Sequence, residues 1–404
     1  MSAWLHVVGI GEDGIAGLSD NARQLIASAD VLVGGKRHHD LVGHADCERL
    51  SWPSPFNTLT DTLKQRRGQQ VCVLASGDPL WFGVATTLAR SFSFEDMAVH
   101  PSPSSVSLAC ARLGWAIESV DVVSVHGREP SRLNRAIYPG ARLIVISHGA
   151  DTPRDVANVL RDRGFGQSQL HVLEHLSGEG ERHVQLCAQA LAETDESSVF
   201  KPLHILGVEV SREVDGRWFP NTPGLPDEAY QHDGQLTKAI VRAATVTALA
   251  PAPGHVLWDI GAGSGSIGIE WLRAAPRARA YAVEPNADRV ARININMHEM
   301  GVPELQVVNA SAPEALSALP TPDAIFIGGG LTAALAERCW EALSPGGRLV
   351  VNAVTLESQT LLIELHERLG GQLTAIAASP VRQVGGYRAF EPLRTVTQWT
   401  GSKP

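Results

Sequence analysis

Apolar residues fall in short runs along the chain, each broken by Gly, Pro, Ser or Asp and followed by a stretch whose apolar positions recur at helical spacing. Residues 4–10 (WLHVVGI) read as a strand that ends on Gly9 and Gly11. A helix follows from Ser19, a suitable N-cap, with Ala22, Leu25, Ile26 and Ala29 on one face, and 31–33 returns as a strand. The runs at 71–75, 122–125 and 143–146 predict further strands. The first of them breaks at Ser76-Gly77-Asp78-Pro79 and enters a helix through Phe82, Ala85 and Leu88. Val99 leads through the turn-rich 101–105 into another helix, and Thr152-Pro153 opens one with proline at the first helical position. Strands alternating with helices predict an α/β chain with a mostly parallel sheet.

The pattern lapses between 209 and 233, where Pro220, Pro223 and Pro226 and the glycines at 216 and 224 mark a connector. With 404 residues, longer than one core usually serves, the chain divides into domains at 1–214 and 215–404. Beyond the connector a helix carries Ile240, Val241, Ala244 and Leu249. Strands then recur at 256–260, 280–283, 305–308, 324–327 and 349–351, and apolar runs near 373–377 and 395–399 predict a closing pair. No internal repeat is visible.

Composition changes this picture little. An apolar share of 44% and a charged share of 19% suit a soluble globular protein. The net charge of −9 argues against nucleic acid as a partner, so an anionic substrate has to be met by a local basic cluster. Cys47, Cys72, Cys110, Cys187 and Cys339 lie far apart and suit reduced thiols in a cytoplasmic protein. No stretch reaches membrane-spanning length, and no membrane partner or export is expected. His38, His39 and His44 lack the further ligands of a tetrahedral site, so no metal is expected.

The candidate chemistry gathers at 256–268 (VLWDIGAGSGSIG), a strand, a tight turn and a helix start. Glycines there let the backbone approach a ligand, and free N–H groups at the helix start favour an anion. Gly263, Gly265 and Gly268 have dinucleotide-site spacing, whereas Asp259-x-Gly261-x-Gly263-x-Gly265 matches the first motif of Rossmann-like methyltransferases. The glycines alone leave NAD and S-adenosylmethionine open. Glu284, about 20 residues on at a strand end, can accept from both ribose hydroxyls and suits either. Asp259, the strand-ending DAIFIGGG at 323–330 and the lead-in LSPGGRL at 343–349 together favour S-adenosylmethionine. No Gly-Lys-Ser/Thr follows the turn, which sets a P-loop aside.

Two resemblances sharpen this reading. HVVGIG at 6–11, LASGDP at 74–79 and PSSVS at 103–107 resemble the three loop signatures of the tetrapyrrole methylases, over roughly residues 1–205. One loop departs from them: the family continues Gly-Pro-Gly-Asp where this chain has Gly11-Glu12-Asp13-Gly14. The resemblance implies a fold of two α/β subdomains with S-adenosylmethionine held near Gly11, Gly77, Asp78, Pro79, Ser104 and Ser105. Further on, Leu236-Thr-Lys-x-x-Val-Arg242, Ala310-Ser-Ala-Pro-Glu314 and Phe326-Ile-Gly-Gly-Gly330 resemble the methyltransferases that decarboxylate and methylate a precorrin in cobalamin synthesis, over roughly 225–404. This implies a Rossmann-like class I methyltransferase sheet and a second S-adenosylmethionine site lined by Thr237, Asp259, Gly261, Gly263, Gly265, Glu284 and Ala312.

Together the resemblances imply methylation of precorrin-6B at carbons 5 and 15 with loss of the ring C acetate carboxyl, giving precorrin-8X. They place the carbon-5 step in the first domain, the rest in the second, and suggest a homo-oligomer. Lys238 and Arg242, one helical turn apart, are the candidate partners for the carboxylates of an anionic tetrapyrrole, with His126 and Arg128 beyond a strand end as further candidates. A cobalt-containing substrate, a methyltransferase fused to an inactive scaffold, and a two-domain NAD-dependent oxidoreductase are the alternatives.

Overall fold

A computed structural model describes residues 3–55, 58–194 and 200–404. It divides the chain into two units, Met1–Arg128 with Pro139–Gly216, and Glu129–Tyr138 with Arg217–Pro404.

In the first unit β1 (Leu5–Ile10), β2 (Val31–Gly34), β3 (Glu48–Ser51), β4 (Val71–Ser76) and β5 (Met97–His100) form a sheet of order β3-β2-β4-β1-β5 in which every pairing is parallel. The runs in β1 and β4 are apolar at nearly every position because both faces are covered. Val7, Val33 and Val73 pack with Leu63 and Leu88 on one face, while Val8, Leu32 and Leu74 pack with Ile26 on the other. Ser19 caps the helix Asp20–Ala27 by accepting from the Ala22 N–H at 3.3 Å.

The second sheet of this unit differs from the expectation of parallel pairing. β6 (Asp121–Ser124), β7 (Arg142–Ile146), β8 (Gln169–Glu174), β9 (Arg182–Cys187) and β10 (His204–Glu209) have the order β6-β7-β10-β8-β9, and only β6 and β7 run parallel. β8 and β9 are joined by a short loop, and a parallel pair needs a crossover of a dozen or more residues. On β9, at the sheet edge, Arg182, His183 and Gln185 are exposed and no residue is fully buried.

The second unit holds β11 (Val256–Ile260), β12 (Arg279–Val283), β13 (Gln306–Val308), β14 (Ala324–Ile327), β15 (Arg348–Ala353), β16 (Gln372–Ile376) and, after a separate exposed hairpin of β17 (Val381–Val384) and β18 (Tyr387–Phe390), β19 (Val396–Ser402). The seven-stranded order is β13-β12-β11-β14-β15-β19-β16, parallel as far as β15, with β19 antiparallel between β15 and β16. The chain reverses its direction of strand addition between β11 and β14, and in an open α/β sheet a ligand crevice forms at such a point.

The sequence pattern does not show that Glu129–Tyr138 belongs to this unit. Arg132 and Arg135 both pair with Glu304, at 3.2 and 3.4 Å, and the Asn134 amide donates to the His298 carbonyl at 2.9 Å. The connector is tied down in the same unit by the buried Arg273, whose guanidinium donates to the carbonyls of Met300, Phe219 and Pro220.

Candidate active sites

The loop leaving β11 runs over the mouth of a cavity of about 1030 Å³. Gly261 has φ +68°, and a Cβ there would lie 2.9 Å from the Gly329 nitrogen, so only glycine lets this loop touch the one after β14. A Cβ on Gly263 would instead stand in open cavity, with no atom nearer than 3.8 Å. Thr237, Gly261, Gly263, Glu284 and Ala312 line this side. Val354, Ile376, Ala378, Leu393 and Val396 give the cavity an apolar stretch of lining, interrupted by Asn352 and Arg394.

Glu284 is buried at the end of β12 and accepts from the Gly263 N–H at 2.8 Å and the Asn286 N–H at 3.0 Å. Each carboxylate oxygen keeps capacity for a further donor. A buried carboxylate with spare acceptor capacity, a loop whose missing side chains leave a cradle, and a roomy partly apolar cavity fit a nucleoside bearing a charged tail.

Two expected cofactor contacts stand elsewhere. Asp259 and Gly265 do not line the cavity. The Asp259 carboxylate lies behind the loop and accepts from the Gly268 N–H at 2.9 Å, while Oδ1 has no partner among the described residues. Burial pushes its pKa up to about 7; the Gly268 N–H opposes the shift and the neighbouring Glu284 adds to it. Asp259 therefore shapes the loop rather than the ligand surface.

Between its ordinary value of 3.8 and about 7 the folded chain holds a proton on Asp259 that the unfolded chain has released. Stability is therefore expected to fall as pH rises through that window. Urea unfolding at pH 5 and pH 8 should show this decline, and Asp259→Asn should flatten it; an equal slope in both proteins would remove Asp259 as its source.

The expected pairing of Arg242 with substrate is corrected by its burial: the side chain is wholly enclosed. Nε donates to Glu270 at 2.5 Å, the other nitrogens reach the Leu225 and Thr237 carbonyls and, at 3.4 Å, Asp227, and the guanidinium lies 4.8 Å from the centre of the Tyr230 ring. Glu270 in turn accepts from the N–H groups of Gly224 and Leu225 and from the Tyr230 hydroxyl. Lys238, just ahead of the helix Ala239–Leu249, does line the cavity and sits 3.3 Å from Asp227.

Among the lining residues that sequence reasoning missed are Arg394 and Asn352. Arg394 is exposed and has no ion pair among the described residues; its signal was a basic residue just before the last apolar run. Asn352, at the end of β15, donates to Thr245 Oγ1 at 2.9 Å and accepts from Gln398 at 2.9 Å. Those partners lie far away in sequence.

The first unit carries a separate cleft of about 710 Å³. Asp78, Ser104, Ser105, His126 and Arg128 all line it, whereas Gly11, Gly77 and Pro79 do not. Gly77, at φ +57°, is where two loops meet: a Cβ would lie 3.1 Å from the Pro103 carbonyl oxygen, and the Gly77 carbonyl accepts from the Ser102 N–H at 3.3 Å. Ser104 caps the helix Ser105–Leu113 through the Ser107 N–H at 3.1 Å. Asp78 accepts from the Leu80 N–H at 2.9 Å. A carboxylate and a capped helix start around one cleft suit a ligand with both hydroxyl and anionic groups.

Glu12, the departure in the first loop, is bonded to His175 at 2.9 Å and to Arg37. Burial raises its pKa, but the bond from His175 and the Arg37 charge outweigh this and hold the carboxyl below its usual value. His38 also lines the cleft, bonded to Ser76 at 3.0 Å; burial, with the Arg37 charge, holds its imidazole at about 4 and hence neutral near pH 7. His39 uses Nε2 on the Leu50 carbonyl, and no group of metal-ligating side chains occurs among the described residues.

Two family models match the chain, the first of them running through the Glu129–Tyr138 segment that packs with the second unit. The family model described as Tetrapyrrole (Corrin/Porphyrin) Methylases matches residues 4–192, and that described as Precorrin methyltransferase domain matches 228–403. These families define a methyltransferase whose methyl donor is S-adenosylmethionine, which sets aside the nicotinamide alternative. A protein of Sinorhizobium sp named precorrin-6Y C(5,15)-methyltransferase [decarboxylating] is 46% identical over 100% of this chain and 97% of its own. A protein of the same name from Mycobacterium tuberculosis strain H37Rv is 39% identical over 98% and 99%. The chain belongs to the precorrin-6Y C(5,15)-methyltransferase (decarboxylating) family. Among solved structures, the C-terminal domain of precorrin-6Y C5,15-methyltransferase from Rhodobacter capsulatus is 48% identical and covers 46% of this chain and 100% of its own, with a TM-score of 0.44.

Proposed function

We propose that the chain uses two S-adenosylmethionine sites, one in each unit, to convert metal-free precorrin-6B to precorrin-8X. The cleft of the first unit serves carbon 5. The cavity of the second serves carbon 15 and the decarboxylation. One observation carries this reading: each unit has its own cavity, and residues expected from sequence to hold cofactor line both of them.

When bound, S-adenosylmethionine supplies a methyl group already activated on a positive sulfur. The chain's own residues then position and shield. In the second unit Glu284 holds the ribose hydroxyls and the loop through Gly263 receives the nucleoside, while the apolar stretch of lining excludes water from the reacting carbon. Three cations line the cavity: Lys238 and Arg289 sit beside Asp227 and Asp233, and Arg394, without an ion pair among the described residues, is the one for the substrate's peripheral carboxylates. The acetate that is lost has to leave its electron pair on the macrocycle, whose conjugation accepts it, and a proton replaces the carbon dioxide. An apolar lining favours that step by withholding water from the carboxylate. No helix is long and apolar enough to cross a membrane among the described residues. A cytoplasmic homo-oligomer with no nucleic acid or membrane partner completes the reading.

The full chain, given precorrin-6B and S-adenosylmethionine, is expected to yield a product carrying two added methyls and lacking one carbon dioxide by mass. Gly77→Val, which forces a side chain against Pro103, is expected to leave one methylation and the decarboxylation intact. Two methyls transferred by that variant, or a single cofactor bound per chain by calorimetry, would overturn the two-site assignment.

A further inference from the structure

The turn that follows Asp78 in the first unit exposes three large apolar residues in succession. Leu80, Trp81 and Phe82 are 47, 47 and 52% accessible. Such a cluster is unfavourable in water unless something covers it. It is also held stiffly: Asp78 accepts from the Leu80 N–H at 2.9 Å, the Trp81 N–H donates to the Asp78 carbonyl at 3.1 Å, and the Ala85 N–H to the Pro79 carbonyl at 3.1 Å.

Phe82 has φ +54°, a left-handed conformation that an aromatic residue adopts at a cost. That conformation stands the Phe82 ring edge-to-face with Trp81, with centroids 5.7 Å apart and planes at 89°. Arg128 lies over the Phe82 ring at 5.3 Å from its centre. Its guanidinium has no carboxylate partner among the described residues, and both rings line the cleft beside Asp78 and Ser104.

A rigid aromatic wall with an unpaired cation at its edge matches one occupant: a flat, conjugated macrocycle ringed by carboxylates. We propose that Trp81 and Phe82 receive the face of the tetrapyrrole in the first unit while Arg128 takes one of its peripheral carboxylates. This rests on the reading that the first unit's cleft is a methylation site. A small alcohol or amine acceptor would leave most of the aromatic surface wet.

The test uses the full chain carrying Glu284→Ala, in which the second site is weakened, and reads by mass the methylation that occurs without loss of carbon dioxide, which reports the first cleft. In that background Trp81→Ala is expected to raise the KM for precorrin about tenfold, as loss of one aromatic contact would, with S-adenosylmethionine affinity unchanged. Phe82→Gly is expected to raise KM similarly while keeping or raising the melting midpoint, because glycine adopts the left-handed turn without strain. A residue that served only structure would lower stability and leave KM alone.

An unchanged KM in both variants overturns the wall while leaving the cleft's assignment standing. Weakened cofactor binding overturns it too, because the rings would then serve the donor. So does an altered sedimentation coefficient, which would place them in a subunit interface. Absence of any methylation in the Glu284→Ala background removes the two-site reading itself, and the wall with it.

Discussion

Replacing Glu284 with alanine is expected to slow carbon dioxide release and one of the two methylations together, and to weaken S-adenosylmethionine binding in the second unit at least about tenfold. The carboxylate is buried at a strand end, and a hydrogen bond to a charged acceptor contributes roughly 1.5–3 kcal/mol when its donor would otherwise lose water unmatched. The substitution does more than remove a ligand contact. It also strips an acceptor from the Gly263 and Asn286 N–H groups, so the loop loses its anchor. Glu284→Gln keeps one acceptor without the charge and should fall between the two. Calorimetry and product mass give the answer; unaltered binding in the alanine variant would sink the assignment.

Arg242→Ala should destabilise the chain by about 3–5 kcal/mol, the range for removing one partner of a buried ion pair. The expected size follows from what remains behind: Glu270, buried beside the lost cation, and the orphaned carbonyls of Leu225 and Thr237. Arg242→Met with Glu270→Leu should recover only part of the loss, because Gly224, Leu225 and Tyr230 also depend on that carboxylate. Urea unfolding measures the change. Any folded Arg242→Ala protein should keep its KM for precorrin, whereas a raised KM with stability within about 0.5 kcal/mol of the parent would restore the arginine to the substrate.

Lys238 and Arg242 show how far a helical spacing carries an inference. Four residues apart, they share a face, and nothing near them in sequence distinguishes a face turned to a cavity from one turned to the core. The distinction is made by Asp227, Tyr230 and Glu270, brought together by folding around Arg242. Asp259 repeats the point: its place in the motif is legible, but its role behind the loop depends on the Gly268 N–H and on burial. Arg394 carried only a weak signal as a site residue because, apart from its neighbours Leu393 and Val396, the apolar lining beside it comes from β16 and from residues 378 and 354, remote from it along the chain.

What the sequence determined by itself is what has its cause within a few residues. The apolar runs of β1, β4 and β11, the Ser19 and Ser104 caps, the glycine turn at 261–265 and the Gly77-Asp78 turn are of that kind, since chain geometry and local hydrogen bonding dictate them. The tertiary structure alone decided the antiparallel second sheet, the membership of Glu129–Tyr138 in the second unit, the burial of Arg242 and the exposure of Trp81 and Phe82 to a cleft. Each of these depends on which distant surface arrives opposite a given side chain. Burial and pairing, unlike backbone turns, are settled by that partner.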